Sequence, residues 1–202
     1  MRMGNLGEAE RALREAVRLR PEVAANHVSL GALLLRTQKL TESRQEFEEA
    51  IRTGASVETA RTEWFTALAG GKSRADAEAS YQASLASQLA GAHSNLGTVL
   101  VAMDDTDGAI REFRLALRGD PKSAVTLVNL ALTLAAQGTS AEARQRLEEA
   151  LRIDSNLYVA HLKLGELQLA AGERATAQQH LRRAAESPDT SIRRAAMDLL
   201  AR

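Results

Sequence analysis

The sequence predicts an all-α solenoid, and three observations carry that prediction. A short pattern of small and large side chains returns six times at a spacing of about 34 residues, and a fixed period of this length is typical of stacked supersecondary units. Alanine, leucine, arginine and glutamate, which favour helix, are abundant. Aromatic residues make up 3% of the chain, which leaves little material for β-strands.

Each repeat carries two small residues seven positions apart, with one large apolar residue between them. The first small residues are Ala9, Ser43, Ala77, Ala109, Ala143 and Ala177, at intervals of 34, 34, 32, 34 and 34. The second are Ala16, Ala50, Ser84, Ala116, Ala150 and Ala184, and the large residues are Leu13, Phe47, Tyr81, Phe113, Leu147 and Leu181. Small side chains let two helices approach closely while the large one fills the space beside them.

Each repeat is predicted to be an antiparallel helix pair. Leu127, Leu130 and Leu134 have helical spacing, and a glycine turn at Gly138 follows them. Thr139 and the glutamate three residues later form a capping-box pattern that predicts the start of the second helix. Proline ends the second helix, as it cannot continue one; the predicted ends are Arg20-Pro21, Asp120-Pro121 and Ser187-Pro188, with Asp154-Ser155-Asn156 in the fifth repeat.

The pattern resembles the tetratricopeptide repeat (TPR) family over essentially the whole chain. His93-Ser-Asn-Leu96-Gly97, Ala109, Phe113, Ala116 and Pro121 match the 34-residue consensus of that family. The resemblance implies a right-handed α-α superhelix whose first helices line a concave groove. Pentatricopeptide repeats are similar but bind RNA through a basic groove, and 26 basic against 26 acidic residues argue against them.

The repeat boundaries follow from the period. We expect one TPR solenoid over 1–202, with a partial repeat at 1–23, repeats 24–57, 58–89, 90–123, 124–157 and 158–189, and a capping helix at 190–202. The partial repeat predicts that the chain begins inside a longer array. The terminal segment has apolar residues at helical spacing, which suits either a cap over the last apolar face or the first helix of a further repeat.

The third repeat departs from the others. Phe65 stands at the small position of its first helix and Trp64 at the leucine position, and two residues are missing between Ser84 and Leu96. Overpacking a close helix contact costs about 1–3 kcal/mol unless the neighbours adjust. We expect a local change of curvature here, with Trp64 in the core.

Composition excludes several classes of function. Zero net charge gives no long-range attraction to nucleic acid or to an anionic membrane. No signal-peptide core or membrane-spanning run is present, and no cysteine offers a disulfide or a thiol nucleophile. The chain is therefore expected to be soluble, in a cytoplasmic or periplasmic compartment if it is bacterial, as its arginine and alanine content favours.

Neither a metal site nor a catalytic site is predicted. His27, His93 and His161 occupy the same position of alternate repeats, on the order of 20 Å apart, which is too far to share one ion. They are interpreted as inter-helix packing groups, and His180 is expected to face solvent. Asp104, Asp105 and Asp107 form an acidic turn whose expected role is helix capping. No phosphate loop and no serine with a credible base are present, so no enzyme activity and no cofactor are expected.

The concave groove that the resemblance implies is the predicted working surface, with a protein or peptide as its partner. The residues expected to line it are Val28, Ser29, Thr62, Thr66, Asn95, Thr98, Val125, Val128, Asn129, Leu132, Leu162 and Lys163. Asn95 and Asn129 match the asparagine ladder by which O-GlcNAc transferase repeats hold an extended peptide, but the ladder is broken elsewhere. The clustered cations of a carboxylate clamp are missing.

The groove is polar around Asn95 and apolar around Val128 and Leu162, which favours a helix or a nonpolar peptide. We expect a non-catalytic interaction scaffold. Two alternatives stay open: the repeat region of a larger enzyme such as a glycosyltransferase, and a module that self-assembles through its apolar end face.

Overall fold

The computed structural model describes residues 4–54, 70–71 and 73–201. These residues form helices and turns with no strand among them, which confirms the predicted all-α fold. The helices are α1 (Gly4–Leu19), α2 (Ala24–Arg36), α3 (Leu40–Gly54), α4 (Arg74–Ala102), α5 (Thr106–Gly119), α6 (Ala124–Ala136), α7 (Ser140–Ile153), α8 (Tyr158–Ala170), α9 (Arg174–Ala184) and α10 (Thr190–Leu200).

The chain forms two compact units, Met1–Pro121 and Lys122–Arg202. In the N-terminal unit, α2 packs against α1 and α3, and α4 packs against α3 and α5. In the C-terminal unit, α7 packs against α6 and α8, α8 packs against α9, and α10 covers α8 and α9. Ala196 of α10 is fully buried, in agreement with the apolar face expected for this segment.

The small and large residues of the repeat pattern form the core from the second repeat onwards, whereas Ala9, Leu13 and Ala16 of the first repeat are half-buried. Phe47, Phe113, Leu147 and Leu181 are at most 1% exposed, and so are the small residues around them from Ser43 onwards, wherever their side chains are described. Glycines of the first helices allow close contacts: a Cβ built on Gly31 would lie 3.1 Å from the Phe47 ring. The packing inferred from the pattern is therefore observed in these repeats.

Local signals account for the helix ends. Asp105 caps α5 by accepting a hydrogen bond from Gly108 N at 2.9 Å, as expected for the acidic turn. Gly138 and Gly172 adopt φ angles of 90° and 80°, which glycine reaches without strain. The capping box predicted at Thr139 is wrong: α7 begins at Ser140, but the Thr139 hydroxyl donates to Leu134 O at 2.9 Å instead of accepting from the helix.

The third repeat differs from its expected form. Residues 74–102 form one continuous helix, α4, so the boundary expected between 89 and 90 lies inside a helix. Only Gly91 interrupts the helix-favouring residues there, and one glycine costs about 1 kcal/mol, too little to end a long helix. Trp64 and Phe65 lie outside the described residues.

Ion pairs between consecutive repeats reveal which repeats are neighbours in the N-terminal unit. Glu10 pairs with Lys39 at 2.6 Å, and Arg144 with Glu173 at 2.7 Å, in each case 29 residues apart. Arg44 stands at the repeat position of Glu10 and Arg144, and Asp105 at the repeat position of Lys39 and Glu173. The separation of Arg44 and Asp105 in the sequence is 32 residues greater than that of the other two pairs. The hydrogen bond that Arg44 donates to Glu48 is the largest cause that raises the pKa of Arg44, and the charge of Asp105 raises it further.

Contacts along α4 agree with this neighbourhood. A Cβ on Gly54, the last residue of α3, would lie 2.7 Å from Leu89 Cδ2. A Cβ on Gly119, the last residue of α5, would overlap the backbone of Ala86. Helix α3 of the repeat 24–57 therefore lies beside α4, and we interpret the 32 residues at 58–89 as an insertion into an otherwise regular period.

Candidate functional site

Two helices of the N-terminal unit carry part of the predicted groove surface. Val28 and Ser29 lie on α2, and Asn95 and Thr98 on α4; Ser29 is exposed and the others are half-buried. The hydroxyl of Ser29 donates to Ala25 O at 2.8 Å, and that of Thr98 to a carbonyl one turn earlier at 3.1 Å. Both hydroxyls are thus bonded to their own helices. Thr62 and Thr66 lie outside the described residues.

The C-terminal unit carries the apolar part of the surface. Val125, Asn129 and Leu132 follow one another at helical spacing on α6, so they share one face. Val125 is 65% exposed, and the other two are half-buried. Leu162 and Lys163, also half-buried, lie on α8. The Lys163 ammonium is paired with Glu166 at 2.8 Å, so its charge is partly compensated.

Val128 differs from the surface role expected of it. Its side chain is only 5% exposed, so it offers little area to a partner. An exposed apolar residue of the N-terminal unit was missed: Val101 on α4 is 44% exposed. It stands at the twelfth position of its repeat, which the family resemblance assigns to the concave side, and that position was the signal available in the sequence.

The histidines form a second recurring feature, between the two helices of a repeat. His27 Nδ1 lies 2.7 Å from Glu46 Oε2, and His93 Nδ1 lies 2.7 Å from Glu112 Oε2, each across 19 residues. The second ring nitrogen of His27 is 2.8 Å from Pro21 O. These contacts tie the first helix to the second and to the preceding turn, in agreement with the packing role expected for them.

The third histidine pair corrects the sequence interpretation of His180. At the same spacing of 19 residues, His161 Nδ1 lies 2.8 Å from His180 Nδ1, so His180 faces a second ring and not solvent. Burial is the main cause that lowers the pKa of both rings. Glu46, Glu112 and His180 were not singled out as partners, although their constant distance from the histidines is visible in the sequence.

The described residues form neither a metal cluster nor a membrane-spanning helix. Across 4–54, 70–71 and 73–201, no three histidine, aspartate or glutamate side chains converge as a metal would require. No described helix combines the length and the apolar character needed to cross a bilayer.

Comparison with known proteins places these repeats in a family. A profile described as tetratricopeptide repeat matches residues 1–58 and 94–158, and a second of the same description matches 158–183. Residues 59–93, which lie between the two matched ranges, include nearly all of the segment 58–89. A curated relative, cellulose synthase 1 operon protein C of Komagataeibacter xylinus, is 30% identical over 161 residues; the match covers 71% of this chain and 12% of the relative.

Solved structures share the fold at low identity. PilF of Pseudomonas aeruginosa superposes with a TM-score of 0.72 at 18% identity, covering 98% of this chain and 77% of PilF. MamA of Desulfovibrio magneticus RS-1 gives 0.65 at 16% identity, covering 98% and 87%. The first repeat domain of Spaghetti (RPAP3), solved with an HSP90 peptide, gives 0.51 at 20% identity, covering 57% and 96%. With its repeat profiles and its helix pairs, this chain belongs to the tetratricopeptide repeat family.

Proposed function

We propose that this chain is a non-catalytic interaction module that binds an apolar segment of a partner protein on the exposed face of its first helices. The observation that carries the proposal is the surface of α6 and α8, where Val125 is 65% exposed and Leu132 and Leu162 are half-buried. Large apolar side chains left in water favour a protein contact when they cluster.

The polar groups beside this face support an apolar partner and not a charged one. Lys163 is compensated by Glu166 at 2.8 Å, so no isolated charge calls for a counter-ion there. Asn129 adds an amide that can donate to, and accept from, a peptide backbone. The peptide-bound repeat domain of Spaghetti supports this mode of binding by analogy.

The setting of the module is part of the proposal. The curated relative is a cellulose synthase operon protein of which the match covers 12%, which supports a role as one interaction segment of a longer repeat protein.

The test compares two surface variants with a matched control. Val125→Asp and Leu162→Asp place a charge on the proposed face, whereas Ile153→Asp places one at a 42% exposed position of α7. A photo-reactive amino acid at position 125 or 162 identifies the bound protein by mass spectrometry. We expect both face variants to lose that protein while Ile153→Asp retains it, with unchanged helical circular dichroism in all three. Retention by the face variants would show that the partner binds elsewhere.

A further inference from the structure

The contact between His161 on α8 and His180 on α9 has the geometry of a hydrogen bond. The two Nδ1 atoms are 2.8 Å apart, while the ring centroids are 5.1 Å apart with a tilt of 34°. The centroid distance exceeds the Nδ1–Nδ1 distance by about twice the distance from the centre of an imidazole ring to one of its atoms. Both nitrogens therefore lie close to the line that joins the ring centres, and each points at the other. A chelated ion needs both lone pairs to converge on a third point. This pair therefore shares a proton and does not form a chelate.

The remaining contacts define which nitrogen carries the proton in the neutral pair. His161 Nε2 lies 3.1 Å from Ser155 O, and a carbonyl can only accept, so Nε2 carries a hydrogen. His161 Nδ1 is then the acceptor, and His180 Nδ1–H donates to it. Every polar contact that the structure gives these two rings is satisfied when neither ring is charged.

Added protons change this arrangement in two steps. One proton can be accepted without loss of the contact: His161 then donates from Nδ1, and His180 accepts with its own hydrogen on Nε2. With a second proton both Nδ1 atoms carry hydrogen, and two donors face each other at 2.8 Å. No hydrogen bond is possible, and two positive charges meet at close range.

We propose that the His161–His180 contact is an acid-sensitive latch: it holds α8 against α9 near neutral pH and opens when both rings are protonated. This inference concerns the stability of the C-terminal unit and does not depend on the proposed partner surface. Opening of the latch loosens the packing of α8 against α9 on mild acidification.

The surroundings of the latch act in both directions. Burial is the largest cause that lowers the pKa of His161; the carbonyl of Ser155 raises it, Arg183 lowers it and Glu186 raises it. Burial also lowers the pKa of His180 most; His161 lowers it further, and Glu148 on α7 raises it.

The charged groups nearby are themselves engaged. Arg183 is paired with Glu186, donates to Asn156 Oδ1 at 2.7 Å and lies over the Tyr158 ring at 5.8 Å. From α10, Arg193 donates to Ser187 O at 2.9 Å, at the end of the same helix pair. Burial and the charge of Arg183 therefore oppose protonation of His161, and burial and repulsion by His161 oppose protonation of His180.

The direction of the effect follows from linkage. A group whose pKa is lower in the folded state binds its proton more readily when the chain is unfolded. The stability that it contributes is present above its unfolded pKa of about 6.5 and is lost as the pH falls through that value and the lower folded one. We therefore expect the loss to begin below about pH 7.

The chain supplies its own control. At the equivalent positions, His27 and His93 contact glutamates at 2.7 Å, so His180→Glu recreates at the last repeat a pair that the chain already uses twice. A protonated histidine beside a carboxylate gains an ion pair instead of meeting a second cation. The variant should therefore remove the acid sensitivity of this contact without removing the contact.

The experiment combines two measurements on the full chain. Histidine ¹⁵N NMR spectra follow the four rings from pH 8 to pH 5, and urea unfolding midpoints are measured over the same range for the wild type and for His180→Glu. We expect His161 and His180 to titrate below about 6.5, and the midpoint of the wild type to fall more steeply with acid than that of the variant. Titration of both rings at or above that value, or an equal acid loss in His180→Glu, would overturn the latch.

Discussion

The ring of Phe113 on α5 lies directly against the backbone of Gly97 on α4. A Cβ built on Gly97 would be 2.7 Å from Phe113 Cε1, and the ring is only 1% exposed, so neither side has room to move. The same relationship joins Gly165 and Leu181, where the corresponding distance is 2.6 Å. Close approach of the two helices therefore depends on the missing side chain of the glycine.

The first prediction tests this contact. Gly97→Ala is expected to destabilise the fold by about 1–3 kcal/mol, because the added methyl group overpacks a filled core. Gly91→Ala, on the same helix, has no atom within 4 Å of its new Cβ and is expected to stabilise it by about 0.5–1 kcal/mol, since alanine favours helix. Urea unfolding measures both; equal effects of the two substitutions would contradict the packing argument.

A second prediction concerns a buried amide. Gln168 on α8 is 5% exposed, and its Oε1 has no hydrogen-bond partner among the described residues. The equivalent residues of other repeats are buried leucines: Leu34, Leu100 and Leu134. Because an unsatisfied buried polar group costs about 1–3 kcal/mol, Gln168→Leu is expected to raise the free energy of unfolding by roughly that amount. Gln145→Leu, at an exposed position of α7, should change it by less than about 0.5 kcal/mol.

The third prediction tests the insertion. Removing residues 58–89 restores an unbroken 34-residue period, so the shortened chain is expected to keep a cooperative unfolding transition even though it loses the buried Ala77 and Leu89. Deleting 74–105, a segment of the same length, removes the helix that pairs with α5 and should abolish folding of that repeat. Circular dichroism and thermal unfolding distinguish the two deletions, and loss of cooperative folding in the first would refute the insertion.

A fourth prediction concerns the ion pair between Arg144 and Glu173. The hydrogen bonds from Arg144, at 2.7 and 2.8 Å, hold the pKa of Glu173 below its ordinary value. A lowered carboxyl pKa contributes stability above the unfolded value of about 4.3, and that stability is lost as the pH falls through the folded value. Glu173→Gln should therefore lower the urea midpoint more at pH 7 than at pH 3.

Charge reversal supplies the control for this pair. Glu10 and Lys39 show that the chain accepts the opposite order of charges at the same two positions, at 2.6 Å. The single variants Arg144→Glu and Glu173→Arg are each expected to lower the urea midpoint. The double variant that combines them is expected to have a midpoint close to that of the wild type. Because both side chains are partly exposed, 0.5 M salt should reduce the differences in urea midpoint among the wild type, the two single variants and the double variant. A double variant less stable than both singles would show that the positions depend on more than charge.

Outside the third repeat, the sequence by itself determined the helix pairs, most of their ends and the core. These features depend on signals that act within one turn or one repeat: a proline or glycine that stops a helix, and small residues such as Ala109 and Ala143 that recur at a fixed distance from a large one. The repeats 24–57, 90–123, 124–157 and 158–189 bury the same positions, so the period was sufficient to identify Phe47 and Leu181 as core.

Only the tertiary structure decided what lies between repeats and which side chains meet. Residues 74–102 form the single helix α4. Whether the chain bends between 89 and 90 depends on how the segments on either side pack, and no local sequence signal predicts that packing. The burial of Val128 and the contact of His161 with His180 arise between helices. A residue's place in the repeat predicts which position of the neighbouring helix it faces. The chemistry of the contact depends on the residue at that position: His161 faces a second histidine, whereas His27 and His93 face glutamates.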